Sequence, residues 1–139
     1  MADLSSAIQK TEEIIQIRGF KDRCQVVECD FFNAIPSGSD VYLMSNILHD
    51  WSDEQCRIIL RNCKNAMKRK SRLLVVEMIV PAGNAPSIAK LLDLEMSVMK
   101  GGRERTAGEF NNLFESINFK LSRIIPTKED VCIIEAIPL

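Results

Sequence analysis

Apolar residues along the chain alternate between helical spacing and strand-length runs. Residues 5–17 place isoleucines at helical intervals before Gly19, which predicts a first helix. Residues 53–68 repeat the helical spacing, with the apolar positions Cys56, Ile59, Leu60, Cys63 and Met67. Residues 73–79 form an almost continuous apolar run, as expected for a parallel strand that is buried on both faces.

The same pattern predicts the remaining elements. Residues 24–28 and 41–44 have the length and composition of short strands, and residues 87–99 form a helix rich in Leu and Met. Thr106-Ala-Gly-Glu109 is a capping box that begins another helix. Two final strands, at 119–125 and 131–137, are joined by a polar turn and predict an antiparallel pair. Strands that alternate with helices indicate an α/β fold.

Composition and charge narrow the class of protein. The 139 residues are 46% hydrophobic and fit one domain, and their formal net charge of −1 argues against a nucleic-acid or anionic-membrane surface. The longest apolar run is far shorter than the roughly 20 residues of a membrane span. Five scattered cysteines without a Cys-x-x-Cys pair, and no signal peptide, favour a reducing cytoplasm.

The candidate chemistry centres on His49, the single histidine of the chain. It follows the strand at 41–44 and precedes Ser52-Asp-Glu-Gln55, a second capping box. It therefore lies in the turn from the carboxyl end of a strand to a helix, and ligands of open α/β sheets bind at that edge. Histidine, with an ordinary pKa of about 6.5, is suited to general acid–base catalysis.

Two glutamates are candidate partners of this histidine. Glu77 interrupts a buried strand, where an unpaired carboxylate is costly, so we expect its side chain to lie within hydrogen-bond reach of the His49 side chain. Glu104 comes just before a helix and reaches the same edge of the sheet, although an acid there is also a plain helix-dipole contact.

Four segments together carry a family resemblance. Asp30-Phe-Phe, Leu48-His-Asp-Trp-Ser-Asp-Glu54, Val75-Val-Glu77 and Gly101-Gly-Arg-Glu-Arg-Thr106 occur in this order. The chain thereby resembles the C-terminal half of the S-adenosylmethionine-dependent O-methyltransferases of the caffeic-acid, hydroxyindole and polyketide type. The resemblance covers nearly the whole chain.

The resemblance implies a reaction and a set of site residues. S-adenosylmethionine is the implied cofactor, a small aromatic hydroxyl compound is the implied substrate, and His49 is the implied general base flanked by Glu77 and Glu104. The implied cofactor-binding residues are Asp3, Cys29, Asp30, Phe31 and Ser45, and the implied substrate-pocket residues are Asp50, Trp51, Met96 and Met99. Plainer roles stay open for several of them: Asp3 and Asp30 as caps, Met96 and Met99 as core, and Trp51 as packing under the loop.

The resemblance also implies a truncated fold. We expect residues 1–139 to form a single partial catalytic domain. It has a class I methyltransferase Rossmann-like sheet with a C-terminal antiparallel pair, but lacks the first strand and the Gly-rich loop. In the family the missing strands lie between the 24–28 and 41–44 strands, which predicts either two separated sheets or a rearranged one. The expected partners are a second copy or a missing N-terminal half, and we expect the isolated chain to bind the cofactor weakly or not at all.

The sequence leaves one alternative to this enzyme open and argues against two others. The chain is either the catalytic half of a methyltransferase or a non-catalytic remnant or partner subunit that needs a separately encoded N-terminal half. A metal site at His49-Asp50 lacks a second His or a Cys at ligand spacing, so no metal is predicted. Nicotinamide binding is not supported, because the chain has no Gly-x-Gly-x-x-Gly segment.

Overall fold

The computed structural model of the chain describes residues 1–99 and 102–139, and for Ser97 and Met99 it describes the backbone alone. In chain order the elements are β1 (Ala2–Asp3), α1 (Ser5–Ile17), β2 (Val27–Glu28), β3 (Val41–Ser45), a 3₁₀ turn (Leu48–Asp50), α2 (Asp53–Ala66), β4 (Arg72–Met78), α3 (Ile88–Met99), α4 (Ala107–Glu115), β5 (Phe119–Pro126) and β6 (Val131–Pro138). None of the helices in the described ranges combines the length and the apolar character that a membrane crossing requires.

The strands of the described residues form two separate sheets, the first of the two predicted arrangements. Strands β1 and β2 pair in parallel as a two-stranded sheet, and the larger sheet has the order β3-β4-β6-β5. Strands β3 and β4 are parallel, whereas β6 is antiparallel to both β4 and β5. The predicted C-terminal antiparallel pair is confirmed.

One face of the larger sheet carries the hydrophobic core. Its buried side chains pack against the apolar faces of α2 and α4, which supply Ile59, Leu60, Phe110 and Phe114 among others. Both predicted capping boxes are confirmed, at Ser52 and at Thr106. The carboxyl ends of β3 and β4 therefore lie at one edge of the larger sheet, next to its packed core. His49 lies at this edge.

Some predicted boundaries are wrong. The strand predicted at 24–28 is reduced to Val27–Glu28, and β1 was not predicted as an element. Helix α2 ends at Ala66 because Met67 adopts an extended backbone. Helix α1 has no buried residue: Ile8 and Ile15 are covered only in part, and Ile17 is 84% exposed.

Candidate active site

The backbone around His49 is bent by local sequence. Strand β3 ends at Ser45, and Asn46 follows with φ 52°, a left-handed conformation that Asn tolerates better than most residues. The chain then forms the 3₁₀ turn that contains His49 and leaves it toward Ser52, the N-cap of α2. His49 is therefore held between the end of a strand and the start of a helix, as predicted.

The side-chain carboxylate of Glu77 binds the backbone amides of this turn. Its Oε1 accepts hydrogen bonds from the amides of Ile47 (3.1 Å), Leu48 (2.5 Å) and His49 (3.3 Å). Burial raises the pKa of Glu77, although these amides and the His49 charge act in the opposite direction. The expected contact of Glu77 with the His49 side chain is therefore corrected: the carboxylate bonds to the His49 amide and not to the ring.

Glu104 is the partner of the ring. Its Oε1 lies 3.0 Å from His49 Nδ1, and this hydrogen bond raises the pKa of His49 above 6.5, while partial burial lowers it. An ionised carboxylate can only accept, so Nδ1 carries the proton and the lone pair of the neutral ring is on Nε2. Asp50 Oδ1 lies 3.9 Å from Nε2, and the His49 side chain keeps 22% exposure. The basic nitrogen is thus Nε2, the one that the hydrogen bond to Glu104 leaves unused.

Long-range contacts bring Glu104 to this position. The Arg103 amide donates to the His49 carbonyl (2.9 Å), and the Glu104 amide donates to Asp93 Oδ1 on α3 (2.9 Å). Ile79, just after β4, forms an isolated parallel bridge with Arg105. Segment 102–106 therefore runs beside the ends of β3 and β4, which explains how residues 49, 77 and 104 meet.

Arg105 is a structural residue of this site that sequence reasoning did not single out. Its side chain is fully buried and donates to the carbonyls of Leu48 (2.8 Å) and Trp51 (2.9 Å), on both sides of His49. It also pairs with Asp53 in the first turn of α2 (2.8 Å). The available signal was its place in the Gly-Arg-Glu-Arg-Thr segment, but nothing local marks an arginine as buried.

Two oxygens of this cluster are unsatisfied. Glu77 Oε2 and Glu104 Oε2 are buried and have no hydrogen-bond partner among the described residues. His49, Glu77 and Glu104 each offer one ligand atom, and these three atoms lie within 4.8 Å of one another. Glu104 also lines a cavity of about 560 Å³, together with Asp93, Gly102 and Arg103. The cluster thus joins two buried acids, one imidazole and an open space.

Three of the residues predicted to bind the cofactor meet at the carboxyl ends of β1 and β2. The Cys29 amide donates to the Asp3 carbonyl (2.8 Å), and the Cys29 thiol has its pKa raised by burial and by the charges of Asp30 and Asp3. The Asp3 carboxylate is exposed and accepts from the Leu4 amide (2.8 Å). Asp30 accepts from the Phe32 amide and the Asn33 side chain, so it organises its own loop.

The aromatic residues connect this loop to the His49 turn. Trp51 lies edge-on to Phe31 (6.1 Å between ring centroids) and to Phe32 (4.7 Å), so packing under the loop is the observed arrangement. Asn62 of α2 was not predicted to have a role, yet its side chain donates to both carbonyls of these phenylalanines. Ser45 is exposed at the end of β3, and its hydroxyl accepts a hydrogen bond from the Asn46 side chain (3.4 Å).

The remaining pocket candidates are on α3 and beside His49. Asp50 and Met96 are half-buried, and the 560 Å³ cavity is lined by neither of them. The Met99 side chain and Gly101, the first residue of the Gly-Gly-Arg-Glu-Arg-Thr segment, lie outside the described residues.

Comparison with known proteins places these features in a family. A family model described as O-methyltransferase domain matches residues 1–120. The chain is 46% identical over 121 residues to phenazine O-methyltransferase PhzM of Lysobacter antibioticus, covering 87% of the chain and 36% of the relative. The chain thus spans about a third of that relative's length.

Solved structures agree with this comparison. The crystal structure of LaPhzM superposes with a TM-score of 0.96 at 42% identity, covering 100% of the chain and 42% of the solved one. The O-methyltransferase NcsB1 from neocarzinostatin biosynthesis, solved with S-adenosylmethionine and 2-hydroxy-5-methyl naphthoic acid, gives a TM-score of 0.89 at 30% identity, covering 99% and 40%. The fold corresponds to part of these class I methyltransferases.

Proposed function

The chain belongs to the O-methyltransferase family, and on this premise we propose that it provides the catalytic part of an S-adenosylmethionine-dependent O-methyltransferase. The proposed acceptor is the hydroxyl group of a small aromatic compound. PhzM is named as a phenazine O-methyltransferase and NcsB1 was solved with a naphthoic acid, which supports a substituted or fused aromatic ring as the acceptor class.

The hydrogen bond between His49 Nδ1 and Glu104 Oε1 is the observation that carries the proposal. A phenolic hydroxyl with a pKa of about 10 is mostly protonated at neutral pH, so its attack on a methyl group is helped by a positioned base. Because Glu104 accepts from Nδ1, Nε2 of His49 can take the hydroxyl proton. Glu104 stabilises the resulting imidazolium, as in other pairs of a base and its orienting acid.

Glu77 has a different role from Glu104 in this proposal. It acts as a positioning residue, because its carboxylate binds the amides of the turn and not the ring. We assign acceptor contacts to Asp50, Trp51, Met96 and Met99. The placement of Trp51 against Phe31 and Phe32 supports a role as the wall between the His49 turn and the Asp30 loop.

The donor set at the smaller sheet fits a nucleoside cofactor in part. The exposed Asp3 carboxylate is suited to accept hydrogen bonds from ribose hydroxyls, and the Cys29 amide is bonded to the Asp3 carbonyl beside it. Both Asp30 oxygens are already used within the loop, so its contribution is to shape the backbone. S-adenosylmethionine, when bound, supplies the electrophilic methyl group.

A methyl-transfer assay tests the proposal. The chain alone is given radiolabelled S-adenosylmethionine and a panel of hydroxyphenazines, hydroxynaphthoates and hydroxybenzoates. Because the relatives are longer, the same compounds are also given to the chain supplemented with the N-terminal portion of LaPhzM as a second polypeptide. We expect transfer to an aromatic hydroxyl when the N-terminal portion is supplied, and in that mixture His49→Ala should lower the rate by about 10²–10⁴-fold with nearly unchanged cofactor affinity.

Two further variants sharpen this test. Glu104→Gln should cost less than His49→Ala, since a neutral amide still orients the ring without stabilising its charge. Glu129→Gln, an exposed glutamate in the turn between β5 and β6, is the matched control and should retain the full rate. Full turnover by His49→Ala would show that the base is another group.

A further inference from the structure

The His49 cluster brings two carboxyl groups to one imidazole, so its fully ionised form has more negative charge than its own residues neutralise. Glu77 is 1% exposed and Glu104 is 4% exposed, and each keeps one buried oxygen without a partner among the described residues. The imidazole supplies at most one positive charge to these two carboxylates. Buried unpaired acceptors and charges are costly, so a dication at this point would satisfy both at once.

We propose that His49, Glu77 and Glu104 form a binding site for a zinc-type transition-metal dication. One ligand atom from each residue lies within 4.8 Å of the other two. Imidazole nitrogen with two carboxylate oxygens is a donor set that zinc accepts, whereas magnesium and calcium prefer oxygen ligands throughout. The three ligands come from segments far apart in sequence, and for this reason close ligand spacing along the chain gives no sign of the site.

The geometry requires a modest contraction. Ligand atoms at about 2.0–2.2 Å from a tetrahedral zinc stand roughly 3.4 Å apart. The widest separation in the cluster, at most 4.8 Å, must therefore shorten by up to about 1.4 Å, which rotation of the glutamate side chains can supply. Three protein ligands leave a fourth position, which the partly exposed side of His49 makes accessible to water.

Metal binding has a consequence for catalysis that rests on the proposed function. A dication in this cluster competes with the proton that His49 shares with Glu104, and it draws the imidazole away from the orientation of a base. Zinc should therefore inhibit methyl transfer, and a chelator should restore it. The binding itself does not depend on that function.

Nuclear magnetic resonance on the chain, first stripped with a chelator, is the direct test. Because the chain has one histidine, its imidazole nitrogens give one pair of long-range ¹H–¹⁵N signals. Titration with zinc chloride should shift one ring nitrogen to the position of a metal-bound imidazole at about one equivalent. Zinc uptake without any change at His49 would overturn the proposal.

Cysteines are the main competing ligands, and cobalt distinguishes them. Burial raises the pKa of Cys56 to about 11 and that of Cys63 to about 12, so neither is readily a thiolate. Cys24, Cys29 and Cys132 are less buried. Cobalt(II) should give a spectrum without a thiolate charge-transfer band, and an intense band of this kind would assign the metal to cysteine.

Variants confirm the ligands and separate the two proposals. Glu104→Gln and Glu77→Gln should each weaken zinc binding by roughly tenfold or more, and Glu129→Gln should not, with folding checked by circular dichroism. Equal zinc affinity in all three variants would contradict the site.

Methyl transfer that depends on His49 but is insensitive to zinc would overturn the metal site alone. Zinc at His49 in a chain that never transfers methyl groups would overturn only the proposed function.

Discussion

At the scale of single residues, one set of neighbours contacts the ring of His49 and another set binds the backbone of its turn. Glu104 contacts the ring, whereas Glu77 and Arg105 bind the amides and carbonyls around it. A ring with one partner can rotate, but a turn held by three amides and two carbonyls cannot move without breaking several buried hydrogen bonds. The proposed base is therefore held mainly by the backbone of its turn.

Gly102 shows how closely this turn is packed. A Cβ on Gly102 would overlap the His49 carbonyl and lie 2.8 Å from the Asp50 carbonyl carbon, because residue 102 is pressed directly onto the turn. Gly102→Ala should therefore destabilise the chain by about 1–3 kcal/mol, since the backbone must shift to make room. Urea unfolding measures the loss, and the single imidazole signal should move as His49 is displaced.

Gly108 is the matched control for this change. It lies in α4, and a Cβ there would meet only the Thr106 hydroxyl at 4.0 Å. Gly108→Ala should leave the imidazole signal in place and stabilise the chain by about 0.5–1 kcal/mol, because alanine is the better helix former. A stability loss of equal size in both variants would refute the argument from close packing.

At the scale of elements, local sequence signals predicted most of the helices and strands. The capping boxes at Ser52 and Thr106 fix the starts of α2 and α4 by contacts within four residues, so sequence alone reveals them. The end of α2 and the reduction of β2 depend on packing against distant segments. Sequence alone placed both Glu77 and Glu104 beside His49 but did not tell which of them contacts the ring, because the Arg105 bridge to Ile79 that positions Glu104 leaves no local trace.

The capping box of α4 predicts a pH-dependent stability. The hydrogen bond from the Thr106 amide, with smaller contributions from the Thr106 hydroxyl and Arg103, lowers the pKa of Glu109 below 4.5 although burial opposes this. A lowered folded pKa means that the contribution is fully present at neutral pH and is lost as the pH falls below about 4.5 through the folded pKa.

Glu109→Gln should therefore reduce stability at pH 7 and match the unmodified chain in acid. The side chain is 42% exposed, so the expected difference is a few tenths to about 1 kcal/mol after solvent screening. Urea unfolding of both proteins between pH 7 and pH 3 measures it, with Glu129→Gln as the exposed control. A difference between the two proteins that stays constant over this range would contradict the assignment to the charge of Glu109.

At the scale of the whole molecule, the proposed catalytic residues and the candidate cofactor-binding residues lie in parts of the chain that differ in how tightly their side chains are packed. His49, Glu77 and Glu104 stand above the core that α2, α4 and the larger sheet share. Asp3 belongs to the two-stranded sheet, whose four residues are all exposed, and Cys29 directly follows its second strand. The proposed base is thus on the well-packed part of the described chain, whereas the candidate cofactor contacts Asp3 and Cys29 are on the weakly packed part.

Hydrogen exchange should reveal this division, and the chain contains its own comparison. Helices α1 and α2 have 13 and 14 residues, but α1 buries none of them and α2 buries five. Isolated helices of about this length are marginal in water, so packing decides their protection. The exchange rates of amides in α1, β1 and β2 should lie within a few orders of magnitude of the rates in an unfolded chain. Amides of α2, β4 and β6 should exchange only by global unfolding. In the mixture with the N-terminal portion of LaPhzM, adding S-adenosylmethionine should slow exchange near Asp3 and Cys29. Equal protection of α1 and α2 without the cofactor would show that the smaller sheet is as firmly packed as the core.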